Sequence, residues 1–316
     1  MSHARELQSG APAATPPHRR RGWLLIGAFM APALVLYVVF VLAPIGQAGF
    51  YSLFDWNGLE PLTDFIGFDN YARALGDPVF RNAVLHNGLL VTLSLALQLP
   101  FALGMALLLM QPMRGRTIVR LIFFAPYVLA EVVTAVVFLL ILRPHALIDQ
   151  SLEGMGLGFI VQLWLADPEI VLLTVFVVVT WKYFGFHMIL YLAGLQGIPR
   201  ELTEAAAIDG ANRFQAFRHV TLPLLGPTIR ISVFLSIIGS LQLFDMVWVL
   251  TGGGPVNASN TMATYMYEYG FERFQLGYGS AVAVVLFLLS LMVALAYQRF
   301  VLRRDVEGAV TTMAGG

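Results

Sequence analysis

The chain has 316 residues, 58% of them hydrophobic and only 12% charged, where a soluble protein carries about 25%. With 19 basic residues balanced by 19 acidic ones, this composition excludes a soluble globular enzyme and a charged disordered tail, and it leaves no basic excess to draw a nucleic acid. Cysteine is absent, so no disulfide, zinc thiolate or thiol nucleophile is possible.

Six apolar stretches are long enough to cross a bilayer core of about 30 Å, which takes about 20 residues of helix. The first, Leu24 to Ala43, follows Arg19, Arg20 and Arg21 and is too long for the apolar region of a secretory signal, so it reads as a retained anchor. Residues 44–88 then form an outer segment. Turn signals at Asn57-Gly58 and Glu60-Pro61, and a helix start at Asp77-Pro78, predict short helices at the membrane surface. The second span, Leu89 to Met110, contains Pro100, which predicts a kink. The third runs from Val119 to Leu142, and an outer segment rich in glycine and acid follows at 143–169. The fourth is Ile170 to Leu195, the fifth Ile229 to Leu250 and the sixth Tyr278 to Phe300. The outer segment Thr251 to Gly277 opens on Gly252-Gly253-Gly254-Pro255. That run lacks the Gly-Lys-Ser/Thr ending of a phosphate loop, and the only lysine is Lys182, so no nucleotide site is expected in this chain.

Basic residues concentrate in short cytoplasmic loops, which sets the orientation. With the N-terminus inside, 14 of them fall on the cytoplasmic side and four (Arg73, Arg81, Arg143, Arg273) outside, so both termini are expected in the cytoplasm. Acidic residues lean the other way, with six inside, 11 outside, and Glu131 and Asp245 within spans. The neutral total therefore hides a positive inner face and a negative outer one.

The cytoplasmic segment between spans four and five is built from helix signals. Pro199 suits the first turn of a helix passing through Glu201 and Glu204 to Asp209, and Gly210 is the usual left-handed stop. Asn212 caps a second helix reaching about Val220, closed by Pro223. Phe214, Phe217 and Val220 recur at three-residue spacing, with Arg213 and Arg218 beside them, which reads as a knob for another protein.

Glu204-Ala205-Ala206, Gly210 and Val220-Thr221-Leu222-Pro223 together resemble the EAA motif of permeases in bacterial ATP-binding cassette (ABC) importers, with valine at 220 in place of the family's isoleucine. Ile66 to Tyr71, Asp77-Pro78 with Phe80, Trp181-Lys182, Leu195 to Pro199, and Phe244-Asp245 followed by Leu250 to Pro255 are similar to carbohydrate-uptake permeases related to the maltose and glycerol-3-phosphate systems, on the MalF-type side. The resemblance runs from about residue 22 to 303. It implies an all-α integral membrane protein of the type I ABC importer fold, with six transmembrane helices in a domain at 23–303, a coupling loop at 199–223 and cytoplasmic tails at 1–22 and 304–316. It also implies a place in the bacterial inner (cytoplasmic) membrane, in contact with lipid. The expected partners are a second, MalG-like permease, two copies of an ABC ATPase that hold the ATP and magnesium, and an extracytoplasmic solute-binding protein. No cofactor is expected in this chain. Glu204, Ala205, Ala206, Asp209, Gly210, Phe214, Phe217, Arg218 and Pro223 would form the surface that meets the ATPase.

Polar groups inside spans are costly and face a pore or a partner helix. Aromatic faces with a few hydroxyls and amides suit a sugar, whose ring has apolar faces and polar edges. Lys182, Tyr183, Phe186, Ser236, Ser240 and Asp245 are the candidates for a sugar site near the midplane. Lys182 and Asp245 are open to a structural reading as well, as an ion pair or as charges reaching the interface. Glu131 reads as a helix contact. The expected function is passage of a sugar or oligosaccharide driven by a separate ATPase. The alternative is an ion-coupled secondary sugar transporter, which usually has more spans and internal repeats.

Overall fold

The computed structural model describes residues 18–302, and side chains from Ala28 to Val301. Residues 1–17 and 303–316, which include the outermost parts of both tails and Arg5, Arg303 and Arg304, lie outside the described residues. Water is missing from a bilayer core, so a spanning chain must bond its backbone internally, and helix is the local solution. Among the described residues the only non-helical pairing is an isolated bridge between Phe54 and Phe65.

The chain divides into two units, residues 1–48 and 49–316. The first holds α1 (His18–Tyr37), a π-turn (Val38–Leu42) and the start of α2 (Ala43–Tyr51), apolar over Ala28–Tyr51. In the second, α3 (Asp69–Gly76) precedes α4 (Pro78–Leu93), which runs through a π-turn (Ser94–Gln98) into α5 (Leu99–Met110). The elements α6 (Arg116–Val128) and α7 (Glu131–Ile141) follow, then α8 (Leu147–Gly154) and the 26-residue α9 (Val171–Gln196). A helix pair, α10 (Arg200–Ile208) and α11 (Arg213–Ala216), leads through a π-turn (Phe217–Thr221) to α12 (Leu222–Leu224) and α13 (Gly226–Leu241). The chain closes with α14 (Asp245–Thr251), α15 (Met262–Tyr267) and α16 (Leu276–Tyr297). Among the described residues, four helices are long and apolar enough to cross a membrane, and up to six spans result if each of two bent pairs is one.

Three differences from the expected elements have local causes. Span two begins at Pro78 rather than Leu89, because the Asp77 carboxylate accepts from the Val79 and Phe80 N–H groups at 2.7 and 3.4 Å and starts the spanning helix itself. The third stretch is bent by 99° between α6 and α7, and the fifth stops at Leu241 before α14 restarts at Asp245. Pro100 and Pro223 end no helix. Three π-turns finish two residues ahead of a proline, at Pro44, Pro100 and Pro223. A proline ring collides with the carbonyl four residues back and offers it no N–H. Widening the turn by one residue moves that carbonyl aside and lets the helix continue. The bend near Pro223, of 66°, falls after it, between α12 and α13.

The polarity of the second unit is inverted relative to a soluble protein. Val132, Val133, Val136 and Val137 on α7 are exposed, while Asn87, Ser94, Gln98, Lys182, His187 and Ser232 are buried. Lipid tails are as apolar as leucine, so helices associate through close approach at small residues and through polar contacts. A side-chain carbon placed on Gly185 would lie 1.9 Å from the Phe123 carbonyl oxygen, which seats α9 directly on the α6 backbone. The Tyr265 hydroxyl bonds Asp77 Oδ2 at 2.8 Å and the Tyr278 hydroxyl at 2.7 Å, joining the starts of α4 and α16. Burial, reinforced by these two bonds, pushes the Tyr265 phenol up, so it stays protonated as a donor.

Gly185→Ala should therefore cost about 1–3 kcal/mol of stability through overpacking. Gly104→Ala, also within a helix but with no atom within 4 Å of the new carbon, should cost nothing and raise stability by up to about 1 kcal/mol. Unfolding of the purified variants in detergent reads the difference.

Candidate functional site

The two interrupted stretches and α9 enclose a cavity of about 380 Å³. Helical spacing of three and four residues brings its polar groups to one side of each element. Ser94 and Gln98 come from the π-turn after α4, Tyr183, Phe186 and His187 from α9, and Ser236, Gly239 and Ser240 from α13. Tyr127 stacks on Phe186 with centroids 4.8 Å apart and an interplanar angle of 22°, forming an aromatic wall. The Tyr183 hydroxyl donates to Glu131 Oε1. His187 Nδ1 is 2.8 Å from Ser232 Oγ, so that ring is held from behind the cavity.

Five of the six residues expected here do line it: Tyr183, Phe186, Ser236, Ser240 and Asp245. Lys182 does not. It is 2% exposed, and its ammonium donates to the Leu129 carbonyl at 2.6 Å and the Pro126 carbonyl at 3.4 Å. Pro126 stands in the last turn of α6 and Leu129 caps it, and the break before α7 leaves the Leu129 carbonyl open. A cation there satisfies it and complements the negative end of the helix. The second break is served in the same way. Asn87 Nδ2 donates to the Ser240 carbonyl at 2.7 Å and the Leu241 carbonyl at 3.3 Å, and Thr261 Oγ1 to the Leu243 carbonyl at 2.9 Å.

The breaks also decide which carboxylates face the cavity. Glu131 is the first residue of α7 and Asp245 the first of α14, and both line it. Glu131 is thus more than a helix contact. Asp245 has no hydrogen-bond or ion-pair partner among the described residues, and it does not cap the helix that it begins. Tyr127, Ser94 and Gln98 were not singled out in advance. Their only sequence signal is polarity within an apolar run, which does not say which side of the helix faces inward.

The segment 199–223 is exposed and assembled from local signals. Gly210 takes φ +86°, with Ala211 N bonding Ala206 O at 2.9 Å and Gly210 N bonding Ala207 O at 3.1 Å, the paired bonds of a left-handed helix stop. Asn212 and Gln215 exchange side-chain and backbone bonds at 2.9 and 2.8 Å. Glu204, Ala205, Asp209, Arg218 and Pro223 are exposed, and Ala206 and Phe217 are half-buried. Ile208 and Phe214 are 87% and 67% exposed, an apolar pair at the tip.

Residues 98–306 match the family described as the binding-protein-dependent transport system inner membrane component. The chain belongs to that family. The permease is 35% identical over 275 residues to the probable ABC transporter permease protein YurN of Bacillus subtilis strain 168, covering 86% of this chain and 94% of that one. It is 33% identical over 279 residues to the diacetylchitobiose uptake system permease protein NgcF of Streptomyces coelicolor, covering 84% and 79% of the two chains. Among solved structures, it superposes with a TM-score of 0.76 and 26% identity on a chain of a bacterial ABC transporter involved in the import of the acidic polysaccharide alginate, covering 90% and 96%. The permease is therefore a multi-pass inner-membrane subunit of a transport system, with the ABC importer permease fold, and not an enzyme.

Removing the Lys182 donor leaves the Leu129 carbonyl of the permease without its bond, so Lys182→Met should cost about 1–3 kcal/mol. Asp245→Asn, which breaks no internal contact, should stay within about 0.5 kcal/mol of the parent. Unfolding in detergent separates the two roles.

Proposed function

We propose that this permease forms one half of the membrane pathway of an ABC importer for a sugar or oligosaccharide, with six spans and both termini in the cytoplasm. Each bent pair then counts as one span, and the excess of arginine on the inner side supports the orientation. The second half is a homologous permease. Two copies of an ABC ATPase bind ATP and magnesium, and an extracytoplasmic binding protein delivers the sugar to the acidic outer loops.

The exposed helix pair at 199–223 carries the coupling reading. A chain without a phosphate loop needs an ATPase partner, and this knob offers exposed Phe214 and Ile208 for burial, with Glu204 to accept an ionic partner. Its turn is rigid because both helix ends are internally bonded, so it can pass a displacement into α13. For substrate, the stacked Tyr127–Phe186 wall beside serine hydroxyls and Glu131 fits a saccharide ring, and relatives named for diacetylchitobiose and alginate transport support that class.

Uptake into right-side-out vesicles of the assembled transporter should require internal ATP and survive collapse of the proton gradient. Loss of uptake with the gradient would instead indicate an ion-coupled carrier. Gly210→Asp strains a left-handed backbone position and adds a charge to the knob without filling any space within 4 Å. It should abolish ATP hydrolysis stimulated by the binding protein, and persistence of that stimulation would defeat the coupling assignment. Tyr183→Ala or Ser240→Leu should lower uptake while ATPase subunits still co-purify.

A further inference from the structure

Two half-helices begin at the wall of the cavity, and each begins with an acid. A half-helix start carries partial positive charge and unbonded N–H groups, which is where an anionic group of a substrate would be drawn. Here Glu131 stands first on α7 and Asp245 first on α14, so a carboxylate stands beside each start, although neither caps its helix. Among the described residues, no lysine or arginine lines the cavity. Lys182, the cation nearest in sequence to its wall, is turned to the Leu129 and Pro126 carbonyls, and His187 is tied to Ser232.

The remaining groups are neutral and ready for hydroxyls. Gln98 is 3% exposed and lines the cavity, yet its amide has no hydrogen-bond partner among the described residues. Ser236, 7% exposed, is in the same state. Their polar atoms open onto the cavity, free to bond a ligand or water there. A sugar hydroxyl can donate to Glu131, Asp245 or the Gln98 carbonyl and accept from the Gln98 amide. A sugar carboxylate can only accept, and it would sit beside two like charges.

Resting on the sugar-importer reading, we propose that this cavity passes uncharged or amino-bearing saccharides and rejects those carrying a carboxylate, phosphate or sulfonate. Glu131 and Asp245 are the residues that set this preference.

The test uses the assembled transporter in nanodiscs without binding protein, titrated with cellobiose, the disaccharide of glucosamine, and digalacturonate, with intrinsic tryptophan fluorescence and thermal unfolding as readouts. Cellobiose and the amino disaccharide should bind, and digalacturonate should bind more than about tenfold more weakly than cellobiose. Glu131→Gln, which keeps an acceptor for Tyr183, and Asp245→Asn should each narrow that gap, and the double variant should close it. Digalacturonate binding as tightly as cellobiose to the parent protein would overturn the inference alone. A gap unchanged in the folded double variant would do the same, whereas no response to any of the three sugars would remove the sugar-binding reading of the cavity together with the inference.

Discussion

A backbone carbonyl inside a membrane cannot borrow a hydrogen bond from water, and the interior of this permease is organised around the few carbonyls that its helices leave open. Two stretches are interrupted, one after Val128 and one after Leu241. At each, a donor arrives from another element: Lys182 from α9 for the first, and Asn87 from α4 with Thr261 for the second. The same interruptions create the cavity, since a straight helix would fill the space that a bent one vacates. They also turn the first residue of each following half-helix, Glu131 and Asp245, toward that space. Structural repair and substrate surface thus share one cause.

The prolines show the same economy of backbone bonding. Pro44, Pro100 and Pro223 each follow a π-turn that removes the clash and the missing bond, so the helix survives them. The two interruptions, after Val128 and after Leu241, fall elsewhere, where neighbouring side chains supply lost partners.

How much could be read in advance depended on the range of the interactions. The segment 199–223 was legible almost residue by residue, because Gly210 as a stop and Asn212 as a cap act on atoms a few positions away. The start of α4 at Asp77-Pro78 was legible for the same reason, although not that it begins the spanning helix. In the cavity, spacing along α9 and α13 put Tyr183, Phe186, Ser236 and Ser240 on a common side, and all four line it. It could not separate Lys182 from its neighbour Tyr183, since adjacent residues on a helix differ in direction by about 100° and only the surrounding elements say which direction is open.

Composition and pattern alone determined that this chain is helical and carries stretches long and apolar enough to cross a membrane. These follow from counts and from contacts within one turn of helix, where the physics is local. Only the tertiary structure decided that the third and fifth stretches are broken, that Lys182 binds backbone carbonyls, and that Glu131 and Asp245 meet across one cavity. Each of those depends on a donor or a wall supplied by residues tens to more than a hundred positions away, such as Asn87 reaching the Ser240 carbonyl. An apolar run reads the same whether or not such a partner stands beside it.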